Sequence, residues 1–266
     1  METTKSADGT VIAYERTGDG PPLVVAVGAF CDRRTFVPPP GLTSRFTVYT
    51  YDRRGRGDSG DTQPYAVERE VEDLAAVVSA ASGASGASGA SGSGVFAYGH
   101  SSGGALVLRA AAAGVPLAAV ASYEAPFAVP GTREVPADPA GRIRELVAAG
   151  RRDDAVRYWM TTVVAAPPQV LQMMEGSPAW PALAALTHTL PYDIALTGDQ
   201  GVPAALAAIA VPALVLGGGT SPDWFHRAVR STADVIPGAK LVMVEGYDHN
   251  VPTEVLAPVL AEFFLG

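Results

Sequence analysis

The stretch from Val95 to Ala113 constrains this chain more than any other. The apolar run Val95-Phe96-Ala97-Tyr98 leads into Gly99-His100-Ser101-Ser102-Gly103, and the alanine-rich run Ala105 to Ala113 follows. A short, bounded apolar run reads as a buried strand, and an alanine-rich run reads as a helix. Joining them through five residues requires a sharp turn, and the glycines at its two ends allow one without side-chain clashes. Ser101 then projects at a helix N-terminus, where free N–H groups favour negative charge. The tetrahedral intermediate of acyl transfer carries that charge, so Ser101 is a candidate nucleophile in a G-x-S-x-G turn. The same residues also read as a plain glycine/serine connection; the strand before and the helix after favour the nucleophile.

The rest of the composition narrows the class. A chain of 266 residues, 48% hydrophobic, has room for one large α/β domain or a core with a lid. A net charge of −8 argues against a nucleic-acid partner, which requires a basic face. The single cysteine, Cys31, excludes an internal disulfide framework and a cysteine-based metal site, and no metal site is expected. Met1-Glu2-Thr3-Thr4-Lys5 has no apolar signal core, and no apolar run is long enough to span a bilayer. These features predict a cytoplasmic protein without a membrane partner. Lysine occurs only at Lys5 and Lys240, against many alanines and glycines, which points to a GC-rich bacterial genome.

Strands are expected at Val11–Glu15, Leu23–Val27, Phe46–Tyr51, Val95–Tyr98, Leu117–Ser122, Ala213–Leu216 and Lys240–Val244. Helices are expected at Val67–Ala81 and Thr253–Phe264. Continuous apolar strands alternating with helices predict a mostly parallel sheet covered on both faces. Between Ala81 and Gly94 the chain repeats Ala-Ser-Gly, a composition that behaves as a flexible linker. Residues 128–208 break the alternation: helical patterns at Ile143–Ala149, Asp153–Val164 and Val170–Glu175 are punctuated by prolines, with no good strand. This predicts a helical lid at 128–208 over a core of residues 1–127 and 209–266, at the strand ends where open parallel sheets bind ligands. Ordinary peripheral helices would give the same pattern.

A serine hydroxyl needs a general base to act at neutral pH. Of the four histidines, His100 lies inside the turn, where neighbouring side chains diverge; His188 falls in the expected lid, and His226 in a helix after Trp224-Phe225. His249 lies in Glu245-Gly246-Tyr247-Asp248-His249-Asn250, between the last strand and the last helix. Its loop position and late chain order make it the candidate base, against a surface histidine.

The order of serine, acid and histidine, the strand–G-x-S-x-G–helix unit and the helical insertion together resemble the α/β-hydrolase superfamily over nearly the whole chain. Tyr51-Asp52-Arg53-Arg54-Gly55-Arg56-Gly57-Asp58-Ser59 is similar to that family's loop after the fourth strand, its charges read as structural hydrogen bonding and not as catalysis, although a simple solvated turn would look the same. The resemblance also implies an acid after Ala213–Leu216, but Ser221 stands at that place in Gly218-Gly219-Thr220-Ser221-Pro222, and Asp223 comes two residues late. Glu124, in Ser122-Tyr123-Glu124-Ala125-Pro126, ends a strand at the same edge, where some branches of the superfamily carry their acid. One haloalkane dehalogenase branch does so, as do zearalenone-type lactone hydrolases, which also have a Ser-Ser-Gly turn similar to Ser101-Ser102-Gly103. Dehalogenases use an aspartate nucleophile, which Ser101 argues against. Glu124 is the expected acid, with Asp223 as the alternative.

The resemblance further implies an oxyanion hole from two backbone N–H groups, those of Ser102 and Ala29, with Phe30 as an alternative to Ala29 in Val27-Gly28-Ala29-Phe30. Phe30, Phe127, Trp159, Trp180 and His188 are the expected pocket residues. The whole reads as a cofactor-free serine hydrolase of an apolar ester or lactone, acting as a monomer or homodimer. A thioesterase or carbon–carbon bond hydrolase would use the same triad. A binding protein or biosynthetic cyclase could share the fold without hydrolysing anything.

Overall fold

In a computed structural model, residues 1–84, 94–132, 134, 136–198 and 201–266 are described. The strands are β1 (Glu2–Lys5), β2 (Val11–Thr17), β3 (Pro22–Ala26), β4 (Thr47–Tyr51), β5 (Val95–His100), β6 (Leu117–Tyr123), β7 (Ala213–Gly218) and β8 (Lys240–Val244). They form one sheet in the order β1-β2-β4-β3-β5-β6-β7-β8. β2 pairs antiparallel with β1 and β4; all other pairs are parallel. The mostly parallel sheet is therefore as the apolar runs predict. β3 and β7 are buried along their whole length, which is why they read as unbroken apolar segments. β1 gave no such signal because it is a polar, largely exposed edge strand.

The helices are α1 (Pro40–Thr43), α2 (Val67–Ala84), α3 (Ser102–Ala112), α4 (Pro139–Ala148), α5 (Arg152–Tyr158), α6 (Pro168–Glu175), α7 (Trp180–Ala185), α8 (Leu190–Thr197), α9 (Asp223–Val235) and α10 (Thr253–Leu265). Alternating side chains of each strand serve the two faces. Val24 and Ala26 pack in one layer with Leu74 and Val78 of α2 and Leu106 of α3. Leu23 and Val25 pack in the other with Leu42 of α1 and Leu256, Leu260 and Phe264 of α10. α2 runs to Ala84, into the start of the Ala-Ser-Gly repeat; the linker expected beyond it, residues 85–93, lies outside the described residues.

Between β6 and β7 the described residues hold helices α4 to α8 and no strand. Sequence reading missed α7 and α8, because Pro181 and Pro191 looked like breaks. Each proline instead sits in the first turn of its helix, where a missing N–H costs nothing. The expected single helix Asp153–Val164 is α5 followed by a π-helical turn, Trp159–Val163. Ile143, Leu146, Ala155 and Leu190 form a small core of this segment. Ala29, Phe30 and Trp159 pack against it, which seats the segment on the loop after β3.

Candidate active site

Ser101 turns the chain from β5 into α3 with φ 57° and ψ −125°. A non-glycine residue held at positive φ costs roughly 1–3 kcal/mol, and such strain gathers at functional sites. Among the described residues, Phe30, Glu124 and Ala165 share a positive φ, so three of the four strained residues are candidate site residues. The turn lies tight against β3: a Cβ on Gly103 would come within 2.1 Å of the Ala26 carbonyl oxygen. Ser101 N–H donates to the Tyr123 carbonyl at 2.9 Å, fastening the turn to the end of β6. Gly28 of the loop after β3 lies so close that a Cβ there would be 2.9 Å from the Ser101 Cβ.

Glu124 follows β6 and is wholly buried. Its Oε2 accepts from His249 Nδ1 at 2.8 Å, and its Oε1 accepts from Gly218 N–H at 2.8 Å. Burial pushes its carboxyl upward, but the bond from His249, the Ser221 hydroxyl and the Gly218 N–H outweigh this and hold it below the usual carboxylate range. Glu124 is thus an anion that accepts the Nδ1 hydrogen bond of His249 and so fixes the orientation of its ring. Asp223 begins α9 and is exposed. The structure brings Glu124, and not Asp223, to His249.

The loop carrying His249 is held by groups whose part in the site was not legible. The imidazole of His249 stacks on Phe225 of α9, with ring centroids 4.7 Å apart. His100 Nε2 donates to the His249 carbonyl at 2.9 Å, and Tyr123 donates from its hydroxyl to the Asp248 carbonyl at 2.6 Å. Burial, reinforced by the neighbouring His249, pushes His100 down to about 4, so at neutral pH it is uncharged with its proton on Nε2. His100 and Tyr123 stack in parallel, their centroids 5.4 Å apart. His100 is a strut between the serine turn and the histidine loop. No hydrogen bond joins Ser101 Oγ to His249 here, and such bonds commonly tighten only when substrate binds.

The five expected pocket residues are not gathered in one place. Phe30, on the loop after β3, and Trp159, in the π-helical turn, meet edge to face with centroids 6.1 Å apart. Phe127 is instead fully buried in the α2/α3 layer of the core. Trp180 donates from Nε1 to Asp153 at 3.0 Å and lies under Arg157, tying α7 to α5. His188 contacts the Gly55 carbonyl through Nε2 at 3.0 Å. It lines a cleft of about 550 Å³ with Tyr65, Arg144 and Tyr192, to which Ser101 does not contribute.

The arginine-rich turn after β4 is structural, as expected, but its partners were not legible in the sequence. Arg53, Arg54 and Arg56 are at most 1% exposed, so this is no solvated turn; it is the structural hydrogen-bonding alternative. Arg54 pairs with Asp73 of α2, and Arg53 pairs with Glu70 of α2 and Asp193 of α8. Arg56 also pairs with Asp193, which accepts from the Ser102 hydroxyl at 2.6 Å. The one signal available was an acid inside the apolar stretch Leu190-Pro191-Tyr192-Asp193-Ile194-Ala195-Leu196. Among the described residues no group of three or more His, Cys, Asp or Glu is placed to hold a metal. No helix there is long and apolar enough to cross a membrane.

A sheet of this order, a strained serine between strand and helix, and a carboxylate–histidine pair at one edge define a hydrolase-type α/β fold. The sequence model of the alpha/beta hydrolase family matches residues 23–261, and the chain belongs to that family. Among solved structures it is similar to an alpha/beta hydrolase from Sphaerobacter thermophilus DSM 20745, at 48% identity and a TM-score of 0.90, covering 99% of this chain and 100% of the other. It also shares its fold with the enol-lactonase from Burkholderia xenovorans LB400, at 22% identity and a TM-score of 0.72, over 100% of both chains. The esterase RhEst1 from Rhodococcus sp. ECU1013 gives 22% identity and a TM-score of 0.65, over 98% of both chains. No curated protein matches. These likenesses support the superfamily; none of them bears on the zearalenone-type branch.

Proposed function

We propose that this protein is a serine hydrolase that cleaves an apolar carboxylic ester or lactone through Ser101, His249 and Glu124. The observation that carries the reading is the 2.8 Å hydrogen bond between His249 Nδ1 and Glu124 Oε2, at the sheet edge where Ser101 turns. His249 Nε2 takes the Ser101 proton as Oγ attacks the substrate carbonyl carbon. The N–H groups of Ser102 and Ala29 hold the resulting oxyanion, and anionic Glu124 stabilises the imidazolium. The intermediate collapses to an acyl-enzyme as His249 returns the proton to the leaving oxygen. Water, deprotonated by His249, then releases the acid and frees Ser101. Only side chains, backbone amides and water take part.

Residues 128–208 act as the lid in this reading, and the contact of its Trp159 with Phe30 of the loop after β3 favours an apolar acyl or alcohol group. Solved proteins of the same fold that are named as an enol-lactonase and an esterase are in keeping with ester chemistry. The test is a fluorophosphonate probe followed by peptide mass spectrometry, run beside panels of esters, lactones, thioesters and vinylogous diketones. The expected adduct is on the Ser101 peptide, absent in Ser101→Ala, with turnover of esters or lactones. An adduct on Ser102 overturns the nucleophile. Turnover confined to thioesters or diketones overturns the substrate class, and labelling without turnover of any panel member overturns the hydrolase reading.

A further inference from the structure

The three charged side chains behind the serine turn do something that stability alone does not explain. Asp193 is 1% exposed and lies between Arg53 Nη1 at 2.8 Å and Arg56 Nη2 at 2.8 Å. Replacing such buried ion pairs with apolar side chains is often neutral or stabilising, so their presence calls for a geometric reason. That reason lies in what the arginines hold. Arg56 donates through Nη1 to the carbonyl oxygens of Gly28 and Cys31, which bracket Ala29 and Phe30. Arg53 donates to the Val27 carbonyl at 3.2 Å and to the Ser102 hydroxyl at 3.1 Å. The Ser102 hydroxyl in turn donates to Asp193 at 2.6 Å.

A trans peptide is planar, with its C=O and N–H pointing in opposite directions. The Gly28 carbonyl belongs to the same plane as the Ala29 N–H. Pulling that oxygen toward Arg56 aims the Ala29 N–H the other way. The Ser102 N–H is fixed at its own residue, where the hydroxyl is anchored to the same Asp193. One carboxylate of α8 is therefore linked to both proposed oxyanion donors, which come from loops far apart in sequence.

We infer that Asp193 is a positioning residue of the oxyanion hole, aiming the Ala29 N–H through Arg56 and the Ser102 N–H through the Ser102 hydroxyl. This rests on the hydrolase reading above. Burial would neutralise Asp193, but Arg56 and Arg53 hold its carboxyl below the usual range, so it keeps the charge that orders both guanidinium groups. It follows that α8 is part of the catalytic scaffold and not of any moving portion of the lid.

The test compares Asp193→Asn and Ser102→Ala with the unmodified enzyme, using p-nitrophenyl butyrate as substrate and phenylboronic acid as a tetrahedral probe. Active sites are counted by fluorophosphonate titration, so that a misfolded fraction does not lower the rate per site. Losing an oxyanion donor outright costs about 10²–10³ in kcat, and misaiming one costs part of that. The expected result is a fall in kcat per site of about tenfold or more in each variant, with KM within about twofold. Phenylboronic acid affinity should weaken by the same factor as kcat. A purely structural role would lower the number of titrated sites and leave both ratios unchanged. If Asp193→Asn does not fold, Ser102→Ala decides alone, since it removes one hydroxyl and keeps the amide. Unchanged kcat and boronate affinity per site in Ser102→Ala overturn the inference. Failure of the underlying reading looks different: Ser101→Ala would still turn over p-nitrophenyl butyrate, or phenylboronic acid would not protect the unmodified enzyme from the fluorophosphonate.

Discussion

Glu124 sits at the end of β6 with φ 46°, a conformation that a glutamate adopts only at a cost. The cost is offset by what the side chain reaches: His249 on one oxygen and the Gly218 amide on the other. Replacing the carboxylate by an amide keeps the shape but loses the charge that, in the proposed mechanism, stabilises the imidazolium. Glu124→Gln is expected to lower kcat by up to about four orders of magnitude, while Asp223→Asn, an exposed change, leaves kcat within about twofold; steady-state ester hydrolysis compares them. His100 carries a pH signature. Its value falls from an ordinary 6.5 to about 4 in the folded protein, so between those values the unfolded chain binds more protons. Stability therefore drops as pH falls from about 6.5 toward 4. In His100→Phe, urea unfolding across that window should show a shallower drop than in the parent. At this scale, the placement of Ser101 in a strand-to-helix turn and of His249 in the loop before the last helix was legible from local sequence. Glu124 was legible as a carboxylate at a strand end. The parts played by His100 and Asp193 were not, since their partners lie elsewhere in the chain and leave no local pattern.

At the scale of elements, the chain announced what is buried on both faces and hid what is amphipathic or polar. β3, β5 and β7 show as apolar runs, whereas β1 is a polar strand paired with β2 at the edge of the sheet. In the helical segment the prolines misled because proline marks both a break and a first turn. The two tryptophans expected to line the pocket are separated by the same segment. Trp159 lies in the π-helical turn and meets Phe30, while Trp180 braces α7 against α5. Trp159→Ala should change the ratio of kcat/KM between small and bulky p-nitrophenyl esters by about tenfold. Trp180→Ala should lower Tm and affect all esters equally. A selective effect of Trp180→Ala, with none from Trp159→Ala, would mean that the substrate passes beside the contact of α7 with α5.

Across the whole molecule, one turn after β4 joins three layers. Arg53 and Arg56 reach α8 and the loops around Ser101, while Arg54 reaches α2 and so pins the helix layer to the sheet. Arg54 and Asp73 are both fully buried and meet through two bonds, Nε to Oδ2 and Nη2 to Oδ1, each 2.7 Å. This pair lies away from the oxyanion loops, so its effect is predicted to be on stability alone. Asp73→Ala leaves a guanidinium buried with its main partner gone, which costs about 3–5 kcal/mol. Replacing both partners by apolar groups of similar volume, as in Arg54→Met with Asp73→Leu, removes the unpaired charge and should recover most of that loss. Denaturant unfolding of the two variants measures the difference. If Asp73→Ala costs less than about 1 kcal/mol, water reaches Arg54 and the layers are held together by the apolar contacts of Leu74 and Val78 alone. If the double variant is as unstable as the single one, the charge pair itself, and not the avoidance of a lone buried charge, is what holds α2 to the sheet.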